Sequence, residues 1–370
     1  MNDNIIVDRL NHLIDSDIEH LKQTILLVDD EDNNLQLLKR TLRGNYVIKT
    51  AHNGIEALDI INKEGDTISL VVSDQKMPEM QGTEFLRQVS LTHPNIVKIL
   101  LTGHADTDVI VSSINECQLY QYILKPFEPE ELKVSVKNGL KKFELSSHKK
   151  VILKDLKELF YKTIKSISFA LDAKDPYTHG HSLRVTLYSL ILANKLGLSD
   201  EVLEEIETAG LLHDIGKIGI PQNVLCKPGK LTDEEFEIMK SHPAQGEKMI
   251  MNIKKLKIIA NWLRAHHERW DGRGYPSGLK GEEIPISARI IALADTYDAM
   301  TSTRSYRKAL DHEVAIGEIK RCAGSQFDPQ LAELFVSLSP EIAEAQANPE
   351  THYEKYSYLK KYIDSTAQVG

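Results

Sequence analysis

The chain has 370 residues, 41% of them hydrophobic and 27% charged, with a formal net charge of -9. That length is too great for one ordinary core and implies two domains. The acidity argues against general nucleic-acid binding, which needs basic surface, and no apolar run approaches the ~20 residues that span a bilayer.

The start, Met1 to Asp8, is polar and acidic and does not read as a signal peptide. Ile6, Leu10, Ile14 and Leu21 recur at near-helical spacing and predict a short helical extension over residues 1–23. From Thr24 to about Glu144, short apolar runs (Ile25–Val28, Leu70–Val72, Val97–Leu101, Tyr122–Leu124) are separated by stretches of helical period. That alternation predicts an α/β domain, a parallel sheet with helices on both faces. A stretch rich in Lys, Glu and Leu follows, and Leu145, Ile152, Leu156, Leu159 and Phe160 form an apolar stripe on it. It predicts a connecting helix over 145–165, which offers a seam for a homodimer. Residues 166–340 read as an all-α domain, in which Val185, Tyr188, Leu192 and Leu196 share a face and Gly197 ends the helix. Residues 341–370 read as a polar tail. Cys117, Cys226 and Cys322 are far apart, form no thiolate metal motif and fit reduced thiols in a cytoplasmic protein.

Ligands of an open parallel sheet gather at the carboxyl ends of its strands. There the chain places Asp29 and Asp30 after the first run, Ser73 and Asp74 after the second, Thr102 after the third and Lys125-Pro126 after the fourth. Three close carboxylates repel one another without a cation and suit Mg²⁺. Asp74, alone at its strand end, is the natural nucleophile towards phosphorus. Thr102 would bond the new phosphoryl oxygens, Lys125 would pair with their charge, and the Lys125-Pro126 bond is a candidate for the cis form.

Leu26-Leu27-Val28-Asp29-Asp30, Ser73-Asp74-Gln75-Lys76-Met77-Pro78, Leu101-Thr102-Gly103 and Lys125-Pro126-Phe127 together resemble the response-regulator receiver domain, over about residues 24–144. The resemblance implies a flavodoxin-like, doubly wound sheet of five parallel strands. It implies that Asp74 is the phosphoacceptor, that Asp29, Asp30, Asp74 and the Lys76 carbonyl hold Mg²⁺, and that Thr102 and Tyr122 form the switch pair. It also implies a cognate sensor histidine kinase.

In the helical half the histidines interleave with Asp: His179, His181, His213-Asp214, His242, His266-His267 and Asp295. Adjacent residues on a helix diverge by about 100°, so His213-Asp214 would spread across a wide site that suits two metals, the carboxylate bridging. An imidazole and carboxylate set favours Fe or Mn, though Zn also accepts imidazole. Two metals can clamp an in-line phosphoryl displacement. Lys217, four residues after His213, would return to the same helical face and neutralise a phosphate oxygen.

The run from His266 to Pro276 (HHERWDGRGYP), with His213-Asp214-Ile215-Gly216-Lys217, is similar to the HD-GYP subgroup of the HD phosphohydrolase superfamily, from about Ala173 to Phe335. The resemblance implies a helical, metal-dependent phosphodiesterase acting on cyclic di-GMP. It implies that His181, His213, Asp214 and Asp295 surround one metal, and that Asp214, His242, His266 and His267 surround the other. It makes Asp214 and Lys217 the catalytic pair. Lys217, Arg304 and Arg307 match phosphate-binding positions, Asp298 a further pocket position, and Tyr275 the loop that names the subgroup. The chain departs from the pattern at Tyr177, where members with a third metal carry Glu, and at Thr303 and Ser305, where Asp and Pro are common. Tyr177 argues for two metals, and His179 matches no ligand. Two other readings stay open: hydrolysis of another cyclic dinucleotide, and a cyclic-dinucleotide sensor or interaction module with little turnover.

Overall fold

The computed structural model describes residues 23–44, 46–103, 117–174, 180–303 and 308–358. The chain divides into two compact units, 1–153 and 154–370.

The first unit is a five-stranded parallel sheet in the order β2-β1-β3-β4-β5. Its strands are β1 (Thr24–Val28), β2 (Val47–Ala51), β3 (Ile68–Asp74), β4 (Val97–Gly103) and β5 (Gln121–Lys125). Side chains alternate between faces along a strand, and both faces are apolar. Leu26, Val28, Val71 and Leu100 pack with Ala57 and Ile61 of α2 (Gly54–Glu64) and with Phe85 and Val89 of α3 (Gly82–Thr92). Ile25, Leu27, Leu70, Val72 and Ile99 pack with Leu35 and Leu38 of α1 (Asp32–Thr41) and with Leu132, Val136 and Leu140 of α4 (Pro129–Lys174). Strand β2 sits at the sheet edge and is mostly half-exposed, so it lacks the continuous apolar run that marks the other four.

Helix α4 is longer than the predicted connector. It begins at Pro129, contributes to the core of the sheet unit, and ends only at Lys174. Its further end packs Ile164 into the core of the second unit.

The second unit is helical. Its core joins α5 (His181–Lys195), α6 (Asp200–Leu212), α10 (Lys257–Ala265) and α11 (Ile286–Thr301). The intervening segment holds α7 (Gln222–Leu225), α8 (Asp233–Met239) and α9 (His242–Ile250). As predicted, α5 stops before Gly197, which adopts φ +70° while Leu198 N–H bonds back to the Ala193 carbonyl, a common helix ending.

After α12 (His312–Arg321) and α13 (Pro329–Ser337), the predicted polar tail instead forms α14 (Ser339–Ala347) and α15 (Pro349–Tyr356). Ile342, Ala345, Tyr353 and Tyr356 enter the core. Fully buried Glu207 binds this end of the chain, accepting from Tyr353 Oη (2.7 Å), Ser357 Oγ (2.6 Å) and Tyr358 N–H (2.8 Å). Short, Glu-rich helices hid their few apolar residues from a reading by composition. No helix among the described residues is long and apolar enough to cross a membrane.

Candidate functional site

At the carboxyl edge of the sheet, Asp29 and Asp74 are buried and share Lys125. The ammonium lies 3.2 Å from Asp29 Oδ2 and bonds directly to Asp74 Oδ1. Asp29 Oδ1 accepts from Glu31 N–H and Asn34 Nδ2, both at 3.0 Å, and Asp74 Oδ2 accepts from Lys76 N–H at 3.0 Å. Burial raises the Asp74 pKa against the opposing pull of Lys125, and neighbouring Asp29 adds to the rise. Asp30 is exposed beside them. Thr102 is buried, whereas Tyr122 is 42% exposed. The Lys125-Pro126 bond is cis, as expected.

The helical unit brings the remaining ligand candidates together. Ligand atoms of His181, His213 and Asp295 lie within 4.8 Å of one another, and so do those of His242, His266 and His267. Asp214 stands between the two groups. Its Oδ1 is 3.3 Å from His242 Nε2, while its Oδ2 is 3.3 Å from His213 Nε2 and 3.8 Å from His181 Nε2. Asp295 Oδ1 is 3.3 Å from His181 Nε2.

The way these histidines are held explains their direction. The last carbonyls of a helix have no intrahelical partner. Here His213 Nδ1 donates to the Gly210 carbonyl of α6 (2.6 Å), His242 Nδ1 to Met239 at the end of α8 (2.8 Å), and His266 Nδ1 to Leu263 of α10 (2.6 Å). Each imidazole thus closes a helix end with one nitrogen and carries its lone pair on the other. The three Nε2 atoms are buried and have no hydrogen-bond partner. An orphaned buried polar atom is costly, and imidazoles converging with carboxylates are the donor set of a transition-metal site.

Electrostatics divide the cluster: burial opposes charge on His181 and His213, yet the carboxylates beside them raise both pKa values. Burial opposes charge on Asp214, yet Lys217 and His213 outweigh it and hold the carboxyl well below its ordinary range. Asp295 is likewise depressed, burial being overcome by His181. Burial, reinforced by the other imidazoles, keeps His266 neutral and lowers His267 to about 3.

Three expectations change. His213 and His266 are the closing residues of α6 and α10, so Asp214 and His267 lie beyond the helices, and helical divergence does not set their directions. Lys217 sits in the short 3₁₀ turn Ile215–Gly219, and its ammonium pairs with Asp214 Oδ2 at 2.6 Å. Asp298 does not line an open pocket: it is 1% exposed, accepts from His181 Nδ1 at 2.7 Å, and binds Arg184 through Nε (2.6 Å) and Nη2 (3.0 Å). Its spacing of three from Asp295 puts both on one face of α11, with Asp298 behind the imidazole that Asp295 faces. Arg304 and Arg307 lie outside the described residues, as do His179 and Tyr177.

Two residues missed in the sequence organise the site. Buried Glu268 accepts from the backbone N–H groups of Ser277 (2.6 Å), Gly278 (3.1 Å) and Leu279 (3.1 Å), which fixes the glycine-rich loop. That loop lays Tyr275 against His267, ring centres 5.0 Å apart. Gly216 allows the 3₁₀ turn to meet α9 backbone to backbone: a Cβ there would stand 1.9 Å from the His242 carbonyl oxygen. The His-Asp-Ile-Gly-Lys motif contained that signal.

Comparison with known proteins gives two family matches: residues 25–137 to the response regulator receiver domain and residues 165–331 to the HD domain. A cyclic di-GMP phosphodiesterase of Thermotoga maritima is 32% identical over 87% of this chain and 92% of its own length. The cyclic di-GMP phosphodiesterase response regulator RpfG of Xanthomonas campestris is 32% identical over 84% of this chain and 86% of its own. The 3'3'-cGAMP-specific phosphodiesterase 2 of Vibrio cholerae is 37% identical over 50% of this chain and 36% of its own.

Proposed function

The chain belongs to the family of response regulators with an HD-domain output, and from that premise we propose that it is a cyclic di-GMP phosphodiesterase with a binuclear metal site under aspartyl-phosphate control. The observation that carries this is the set of three buried, unpartnered Nε2 atoms beside a carboxylate whose two oxygens face two ligand groups. His181, His213, Asp214 and Asp295 would hold one ion, and Asp214, His242, His266 and His267 the other. Fe or Mn suits the donor set. When bound, two such ions supply Lewis acidity for in-line attack of water on phosphorus.

The protein's own part is positional. Helix-end carbonyls hold the imidazoles in the liganding tautomer. Lys217, beside Asp214, would meet a non-bridging phosphate oxygen, and Arg304 and Arg307 would take the second phosphate. Tyr275 borders the site through His267.

In the sheet unit Asp74 would accept phosphate from a cognate sensor histidine kinase, with Mg²⁺ held by Asp29, Asp30, Asp74 and the Lys76 carbonyl. Thr102 and Tyr122 would then rearrange, and α4, continuous from one unit into the other, would carry the change. Leu145, Ile152, Leu156 and Leu159 are 49–62% exposed along α4, which supports a homodimer seam. A cytoplasmic site of action fits both a kinase partner and a nucleotide messenger.

The test is turnover of cyclic di-GMP by anaerobically purified protein reconstituted in turn with Fe, Mn, Mg and Zn, with Asp214→Ala as control. Turnover that the substitution abolishes is expected. Tight nucleotide binding without turnover under every metal would favour the sensor reading. A preference for 3'3'-cGAMP, the substrate named for a relative matching half of this chain, would change the substrate and keep the chemistry.

A further inference from the structure

The last turn of α4 is tied to both sides of the metal-ligand cluster. Lys174 Nζ donates to the carbonyl oxygens of Ile218 (2.9 Å), Lys217 (3.2 Å) and Ile220 (3.3 Å). An ammonium has three N–H donors, so its capacity is matched to these acceptors. They lie at the end of the Ile215–Gly219 turn, where a cation is favoured; the Lys217 carbonyl also accepts from Ile220 N–H at 3.1 Å. Two residues earlier, buried Asp172 accepts from Ser182 Oγ at 2.8 Å, and Ser182 adjoins His181. The Lys174 carbonyl in turn accepts from the Cys226 thiol at 3.6 Å, beyond the far end of the turn.

We propose that Lys174 is a positioning residue for substrate: by gripping the carbonyl edge of the Ile215–Gly219 turn, it sets the backbone from which Lys217 reaches the phosphate. The inference rests on the phosphodiesterase reading of the site. Contacts of several kinds restrain the turn: Ile215 is buried in the helical core and Lys217 pairs with Asp214. Gly216 presses its backbone onto α9, and Lys174 holds its carbonyls. The metal ligands just before the turn do not depend on Lys174, because His213 is fixed by the Gly210 carbonyl and Asp214 faces the imidazoles. Loss of Lys174 therefore loosens the aim of Lys217 and leaves the ligand set in place. Since Lys174 closes the helix that begins in the sheet unit, it is also a point at which a change in α4 would reach Lys217.

The experiment measures cyclic di-GMP binding, kcat, KM and metal content on the full chain as wild type, Lys174→Arg, Lys174→Met, Lys217→Ala and the Lys174→Met/Lys217→Ala pair. Lys174→Met is expected to raise Kd and KM about tenfold, the scale of one charge-assisted hydrogen bond, with metal content unchanged. Lys174→Arg should recover most of that loss. In the Lys217→Ala background, Lys174→Met should cost less than about twofold more, because both changes remove the same contact. Equal Kd and KM for wild type and Lys174→Met, full additivity in the pair, or loss of metal from Lys174→Met would each overturn the assignment. A wild type that neither binds nor cleaves the nucleotide would instead sink the reading of the site.

Discussion

Asp298 Oδ2 accepts a hydrogen bond from His181 Nδ1 at 2.7 Å, so the imidazole that faces Asp295 and Asp214 is aimed from behind by a buried carboxylate. Arg184 braces that carboxylate through two further bonds. Partners of this kind orient a ligand and raise its basicity, and removing one costs about 10–100-fold in metal affinity. Asp298→Ala should weaken metal binding on that scale, read by competition with a chromophoric chelator. Unchanged affinity would return Asp298 to the substrate pocket.

Metal removal should destabilise the helical unit. Ions that bind only the folded state stabilise it by mass action, so a chelator should lower that unit's melting transition on the order of 5–15 °C. Asp214→Ala, lacking the shared carboxylate, should melt alike with and without chelator. A chelator effect of full size in that variant would place the ions elsewhere.

Gly216→Ala should be severe for so small a change. The added methyl would lie 1.9 Å from the His242 carbonyl oxygen and 2.6 Å from Gly246 N, both backbone atoms that cannot swing aside. A cost of about 1–3 kcal/mol and loss of bound metal are expected, because the displaced helix carries His242. Calorimetry with metal analysis checks this, and a variant with wild-type melting and metal content would contradict the close approach.

Lys98 gives the sheet unit a pH dependence. It lies in β4, 1% exposed, with its ammonium 3.3 Å from the Pro94 carbonyl. Burial lowers its pKa from 10.5 to about 8. Between those values the unfolded chain binds more protons than the folded one, so this residue's contribution to stability rises with pH across the window. Below about pH 8 the buried charge is a standing penalty. Lys98→Met should therefore raise the sheet unit's melting transition at pH 7, by about 1–2 kcal/mol in stability, and its advantage should shrink towards pH 10. An advantage constant from pH 7 to 10 would mean that packing, not charge, is responsible.

A small-molecule phosphodonor with Mg²⁺ should label the wild type on Asp74 and leave Asp74→Asn unlabelled. Lys125→Ala should still label, but without a cation shared by Asp29 and Asp74 the coupling from label to turnover should be lost. Labelling of Asp74→Asn would move the phosphoacceptor elsewhere.

Legibility followed the range of the interactions. The sheet was readable because Ile25–Val28, Leu70–Val72 and Val97–Leu101 are buried on both faces and so continuously apolar. Strand β2 and helices α14 and α15 were not, because they are short and only a few of their residues are buried. The candidate ligands were readable because imidazole and carboxylate donors must be present in kind. The bond between Asp298 and His181 was not readable because the two lie 117 residues apart. Glu268 is a local case: its three backbone donors follow within eleven residues, but only the closed loop turns them inward.

By itself, then, the sequence determined which groups are available and where the continuously apolar strands run, since those depend on residue type and short-range period. The tertiary structure decided what each group does. Two oxygens of one carboxylate face two ligand groups, and three imidazoles turn Nε2 inward, because helix-end carbonyls from separate elements take the other nitrogen. Such orientation is set by partners distant in sequence, and only packing brings those partners within hydrogen-bond reach.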